Sequence, residues 1–471
     1  LLLGLAAFGR ALAQPMALLN DPDTYLHIAA GQWMLAHHAL PAHDPFSHTM
    51  SGAPWLAAEW LAELALAIVY RAAGWGGPIV LAAASFALAI GLATRFLLRR
   101  LPPLMAVLAA VFAIALLQPH LVARPHVLAL PLLALWSGAL LAARDAARSP
   151  PIWLVAAMSL WANLHASFIF GLALAAWLAV EPVLAARGCR ADAARRWGWF
   201  LAAAGGAALL TPIGAAGFVQ PFRLMAMPAL QASFAEWRPP DFAAFPALEL
   251  ALLALLAIGF MTATRLAPMR LILLLGLVHM ALRHVRHADL LGLVGPLALA
   301  APLGAALAGA EGSSPVSRIA CRLARPAAAP ARGLAVAIGI LLSLPLLREP
   351  IARADDTTTP AAALAAAARL GLSGPVFNGE NFGGYLAFRG VPTFIDGRIE
   401  MYGNDFLARD VEAEQGREPA LQTVLDGYGV SWTLLSPQAG AAAALDRLSG
   451  WRRVYADSVA IIHRREGALP P

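Results

Sequence analysis

The chain of 471 residues has no lysine, two cysteines and only 13% charged residues. Without lysine, every basic residue is an arginine, and the arginines sit in short clusters between apolar runs. They read as topology signals rather than as a nucleic-acid footprint, despite a formal charge of +6, and no nucleic-acid partner is expected. Cys189 and Cys321 fall in Arg-rich loops, where thiols stay reduced, so no disulfide framework is expected. No internal repeat or nucleotide fingerprint appears, and GENFGG (379–384) lacks the glycine spacing and the lysine of a phosphate loop.

What the chain does have is apolar length. It is 60% hydrophobic with a mean hydropathy of +0.66, and its apolar runs of about 17 to 22 residues match the roughly 20 that a bilayer span requires. The expectation is an all-α polytopic membrane domain of about eleven transmembrane helices over residues 1–350. The spans are placed at 1–19, 77–98, 102–118, 126–143, 151–164, 166–185, 197–213, 247–264, 269–283, 288–308 and 333–347. Leu1 to Leu19 reads as a first span rather than as a cleaved signal peptide.

The Arg clusters mark the cytoplasmic side: Arg99 with Arg100, Arg144 with Arg148, Arg187 to Arg196, Arg265 with Arg270, and Arg318 to Arg332. Counting Trp55 to Tyr70 as a span would put Arg99 and Arg100 outside. Glu59 and Glu63 also lie four apart on one helical face, so the stretch is read as an amphipathic helix in the outer interface. The expected location is a bacterial inner membrane, crossed many times.

After Leu347 the composition changes, and residues 355–471 alternate helix and strand signals. Helices are expected from Pro360 to Leu370, near Tyr385, at 405–414, 419–428 and 439–449. Strands are expected at 375–378, 392–396, 431–436 and in a final pair near Val454 and 459–463. The alternation predicts a small α/β periplasmic domain with a mainly parallel sheet.

Chemistry concentrates between Asn20 and Trp60, within an outer first loop over 20–76. The stretch gathers Asp21, Asp23, Asp44 and Glu59 with five histidines and no basic partner. Acids kept beside apolar spans line wet cavities or do chemistry, because a carboxylate in the bilayer costs about 2.5–3.5 kcal/mol. Asp21 or Asp23 could deprotonate an acceptor hydroxyl or hold a metal, although Asp-x-Asp alone is a weak signal. His27 follows Asp23 by one helical turn and could orient it. His37, His38, His43 and His48 lack a ligand spacing and read as a solvated loop, and Asp44 reads as a turn residue.

Further outer polar groups stand at span ends. Arg124 and His126 lie in HLVARPHV, and Arg283, His284, Arg286 and His287 in RHVRH. An arginine outside needs an acid or a phosphate as partner, which makes Arg124, His126, Arg283 and Arg286 candidates for a lipid phosphate, against ion pairing or interfacial anchoring. His165 in WANLH, Glu236 with Trp237 in EWRPP, and Tyr385 are candidates for substrate contact.

The pattern DPDTYLHIAAGQWML, then DPFSHT, ARPH, WANLH and EW, resembles the GT-C superfamily of polytopic glycosyltransferases, and more distantly protein mannosyltransferases. The run PVFNGENFGGYLAFRG followed by FIDGR is similar in layout to the outer domain of oligosaccharyltransferase catalytic subunits, though the Trp-Trp-Asp-Tyr-Gly motif is absent. The resemblance implies transfer of a sugar from a polyprenyl-phosphate donor held among membrane lipid to a glycan, lipid or protein acceptor. It puts the catalytic or metal-binding role on Asp21 or Asp23 without choosing between them; position relative to His27 favours Asp23, with His27 behind it and Glu59 expected to face the same cavity, and a divalent cation, Mg or Mn, is a cofactor to test for. The alternative is a non-catalytic scaffold that binds the same lipid.

Overall fold

Long Ala- and Leu-rich runs satisfy their backbone groups internally only as helices, and prolines at the first turn fix where several begin. The structure, a computed structural model, describes residues 1–185, 190–308 and 315–467, so Cys189 and Arg187 lie outside the described residues. Each segment expected to span holds a helix. Gly76–Leu97, Pro103–His120, Pro125–Asp145, Val285–Ala306 and Ala329–Arg348 are long and apolar enough to cross a membrane. The other segments hold shorter helices: Leu2–Leu12, Leu154–Leu164, Phe168–Ala185, Arg190–Ala208, Pro246–Met261 and Pro268–Arg283. The helix Gly76–Leu97 is central, packing on Leu2–Leu12 and Pro125–Asp145. Trp136 and Trp161 are fully buried in the bundle, and the Trp136 indole donates to Gly171 O at 2.8 Å.

The helix expected over Trp55 to Tyr70 begins later and runs Trp60–Ala73. Residues 55–59 are not helical because Trp55 is held in the loop: its backbone N donates to Ala42 O at 3.1 Å and its indole to Glu400 Oε1 at 3.2 Å. A second loop helix, Asp23–His37, packs across it at Gly31, where a side chain would strike the Glu63 carbonyl.

Among the described residues the C-terminal segment carries four strands: β1 (Val376–Asn378), β2 (Trp432–Leu434), β3 (Trp451–Ala456) and β4 (Ile461–Arg465). Their order is β1-β2-β4-β3. Only β1 and β2 are parallel, with Phe377 opposite Thr433; the β3–β4 hairpin joins antiparallel, so the sheet is mixed and not mainly parallel. The strand expected at 392–396 does not form. Its backbone is taken by side chains and by the first loop: Phe394 N donates to Asn378 Oδ1 at 2.8 Å, Ile395 O accepts from Asn378 Nδ2 at 2.9 Å, and Thr393 N donates to Phe46 O at 3.0 Å. The expected helices are present at Ala361–Arg369, Glu380–Phe388, Asn404–Glu414, Glu418–Gly427 and Gly440–Leu445.

This domain is sewn to the first loop. His48 N donates to Thr393 O at 2.9 Å, the His48 ring lies 2.9 Å from Val376 O, and Thr49 donates to Phe394 O at 2.6 Å. His48 is therefore half-buried in a seam rather than solvated.

Candidate active site

Arg124 stands in extended conformation immediately before Pro125, which fixes it at the mouth of a long helix. Ala123 N, donating to Leu18 O at 2.7 Å, ties that point to the short helical turn Ala17–Leu19 that follows the first helix. Two residues further along, Asp21 closes a turn by accepting from Asp23 N at 2.9 Å. The chain thereby aims both carboxylates at one guanidinium. Arg124 Nη1 lies 3.2 Å from Asp21 Oδ2, and Nη2 lies 2.7 Å from Asp23 Oδ2. Burial lifts the Asp21 carboxyl above its ordinary range despite the pull of Arg124.

One turn into the Asp23–His37 helix, His27 is buried. Its Nδ1 is 3.3 Å from Glu63 Oε1 and its Nε2 is 3.9 Å from Glu59 Oε2. Burial disfavours the imidazolium, but Glu63, Glu59 and Asp23 outweigh it and raise the His27 pKa. Glu59 is itself pushed up to about 7, by burial first, with His27 opposing. Its other oxygen lies 3.4 Å from His165 Nε2, and the Trp60 indole donates to Asn163 Oδ1 at 2.7 Å. The DPD, EW and WANLH motifs thus meet.

A second polar group continues the belt. The His126 ring is 6.1 Å from that of His165, and His126 Nε2 contacts His120 O at 2.8 Å. Arg286 pairs with Glu236 at 2.9 Å and lies over the Trp237 ring at 4.5 Å, while His284 Nδ1 contacts Trp237 O at 2.5 Å. Arg283 is exposed and makes no ion pair among the described residues. Tyr385 is buried edge-on to Tyr25 at 5.1 Å, its hydroxyl accepting from Arg389 at 3.0 Å.

Two features were missed from the sequence. Glu380, inside GENFGG, opens the helix Glu380–Phe388; burial, then Asp23 and Asp21, hold its carboxyl far above the usual carboxylate range. Its only signal was an acid between a strand and a helix in the C-terminal segment. The other is a buried triad in which Arg398 grips Asp396 with Nε at 2.8 Å and Nη2 at 2.7 Å while Nη1 reaches Asp44 at 2.5 Å. Asp44 is thus more than a turn residue.

The apo oligosaccharyltransferase of Archaeoglobus fulgidus matches 92% of this chain and 69% of its own, with a TM-score of 0.52 at 13% identity. In fold, the chain resembles the GT-C glycosyltransferases. The ArnT of Cupriavidus metallidurans, solved with bound undecaprenyl phosphate, matches 99% of this chain and 97% of its own, with a TM-score of 0.47 at 15% identity. No family model matches the chain, and no curated protein does.

Proposed function

We propose that this chain is a membrane-embedded, inverting glycosyltransferase that moves a sugar from a polyprenyl-phosphate donor to an acceptor on the periplasmic face of a bacterial inner membrane. The observation that carries the proposal is the pair Asp21 and Asp23 held on Arg124 at the junction of bundle and outer domain, in a fold shared with an oligosaccharyltransferase.

In the reaction, the acceptor oxygen attacks the anomeric carbon as the bond from that carbon to the phosphate oxygen breaks. Asp23 takes the acceptor proton, and the phosphate leaves as an anion with inversion at carbon. Asp21 is the alternative base. His27 and Glu59 set the charge behind it. The leaving phosphate falls to the basic groups Arg124, His126, Arg283 and Arg286, where Arg283 makes no ion pair among the described residues and Arg286 exchanges Glu236 for the ligand. His165, Glu236, Trp237 and Tyr385 are the candidates for shaping the sugar and acceptor space. A divalent cation does not fit the acids as arranged. Both are engaged by one guanidinium, and among the described residues no group of three potential ligands converges.

The test is transfer from a polyprenyl-phosphate sugar by protein reconstituted in lipid. Asp23→Asn, or failing that Asp21→Asn, should lose at least about 100-fold in rate with melting behaviour kept, because the amide preserves shape but not basicity. Near-parental rates in both variants would replace the enzyme by a lipid-binding scaffold.

A further inference from the structure

Asp23 is held from two sides. Arg124 takes Oδ2, and the backbone at Gly397 faces Oδ1: a Cβ placed on Gly397 would lie 1.9 Å from Asp23 Oδ1, 2.7 Å from Cγ and 3.2 Å from Oδ2. Those atoms are the three nearest to that point, so the room a side chain would need at 397 is the room the Asp23 carboxylate occupies. Backbone conformation gives no competing reason for glycine here, since Gly397 is not among the residues with positive φ.

Nor can the turn retreat. Asp396 and Arg398 on either side are buried in the triad with Asp44, and Tyr402 donates to Asp396 Oδ2 at 3.1 Å. On the neighbouring helix, a Cβ at Gly384 would lie 2.1 Å from the Pro22 carbonyl, so the outer domain abuts the Asp21–Asp23 turn at a second point. When backbone is pinned on one side and a carboxylate stands on the other, the side chain is what yields.

We propose that Gly397 is a positioning residue for Asp23: the missing side chain leaves the carboxylate one place to stand, between the outer-domain backbone and Arg124. This rests on the reading of Asp23 as the acceptor base. The outer domain is then part of the catalytic apparatus, and its docking sets the angle from which the base meets the acceptor hydroxyl. Misplacement of a reacting group by about 1 Å can cost about 100-fold in rate.

The experiment is a double-mutant cycle between Gly397→Ala and Asp23→Ala in the full-length protein, read by melting temperature and by sugar transfer. Gly397→Ala alone should lower the Tm by about 3 °C and kcat by about tenfold or more, with the donor KM little changed. In the Asp23→Ala background the same change should leave the Tm where it was, because the clashing carboxylate is gone. An equal Tm loss in both backgrounds would overturn the contact. A Tm coupling with kcat unchanged would overturn the positioning role. A parental protein that transfers no sugar would sink the transferase reading, while the melting arm still decides whether Gly397 holds Asp23.

Discussion

Removing Arg124 tests the electrostatic centre of the site directly. Its guanidinium serves two acids, and the three side chains are only 24%, 16% and 14% exposed. Deleting one partner of a buried pair costs about 3–5 kcal/mol, because it strands a charge; the partial exposure of all three groups argues for the lower end, about 3 kcal/mol. Arg124→Ala should therefore melt well below the parent near neutral pH, with Arg124→Lys between them, since a single ammonium can satisfy one acid but not fork to both. The pH dependence supplies a sharper check. Asp21 already has a raised pKa, and loss of the cation raises it further. A carboxyl whose folded pKa is raised contributes its full stability below its unfolded pKa and loses it as pH rises through the folded value. The deficit of Arg124→Ala should thus be largest near pH 8 and shrink toward about pH 5 as Asp21 takes up its proton. Tm measured against pH in one detergent decides it. Parental melting at pH 8, or a deficit of equal size at both pH values, would refute the two-acid clamp. The same variants test phosphate recognition: weaker polyprenyl-phosphate binding in both supports it, and unchanged binding in both leaves Arg124 as an ion-pair residue alone.

Glu59 should titrate near neutrality. Its folded pKa of about 7 stands above the ordinary 4.5, and His27 is also raised; both therefore withdraw stability as pH climbs, Glu59 over the window from 4.5 to about 7. Glu59→Gln should flatten the fall of Tm across that window, and an unaltered slope would remove Glu59 from the His27–His165 network. For topology, Cys321 is exposed and is assigned to the cytoplasmic side with Cys189. An impermeant maleimide should label the thiols in lysed cells but not in intact ones, and labelling of intact cells would invert the proposed orientation.

The helical bundle was legible because its cause is local: an apolar run without charge becomes a helix whatever surrounds it. For Arg124 the sequence left a first-loop acid and a phosphate open as partners, and in the structure its guanidinium lies against Asp21 and Asp23. The C-terminal sheet was less legible. Residues 392–396 have the β-branched and aromatic content of a strand, yet Asn378 supplies from its side chain the hydrogen bonds that a neighbouring strand would have given. Propensity does not register such a substitution, which depends on contacts between residues far apart in sequence. Gly397 and Glu380 were hidden for the same reason. Their closeness to Asp23 exists only once the C-terminal segment lies against the first loop, and nothing in the spacing of DGR or GENFGG points to residue 23.

The network of Asp44, Arg398 and Asp396 bears on why that docking has one geometry. Burying three charges gains little net stability over an apolar seam, because desolvation consumes most of the Coulombic attraction. An apolar seam, however, tolerates sliding, whereas a guanidinium forked to Asp396 at 2.8 and 2.7 Å and to Asp44 at 2.5 Å has a single low-energy register. That register matters here because Gly397 sits between Asp396 and Arg398. A shift of the seam by one residue would bring a side chain into the space of the Asp23 carboxylate. The buried ions of the C-terminal segment and the Arg124 clamp therefore act on the same loop from opposite sides, and the position of Asp23 follows from both.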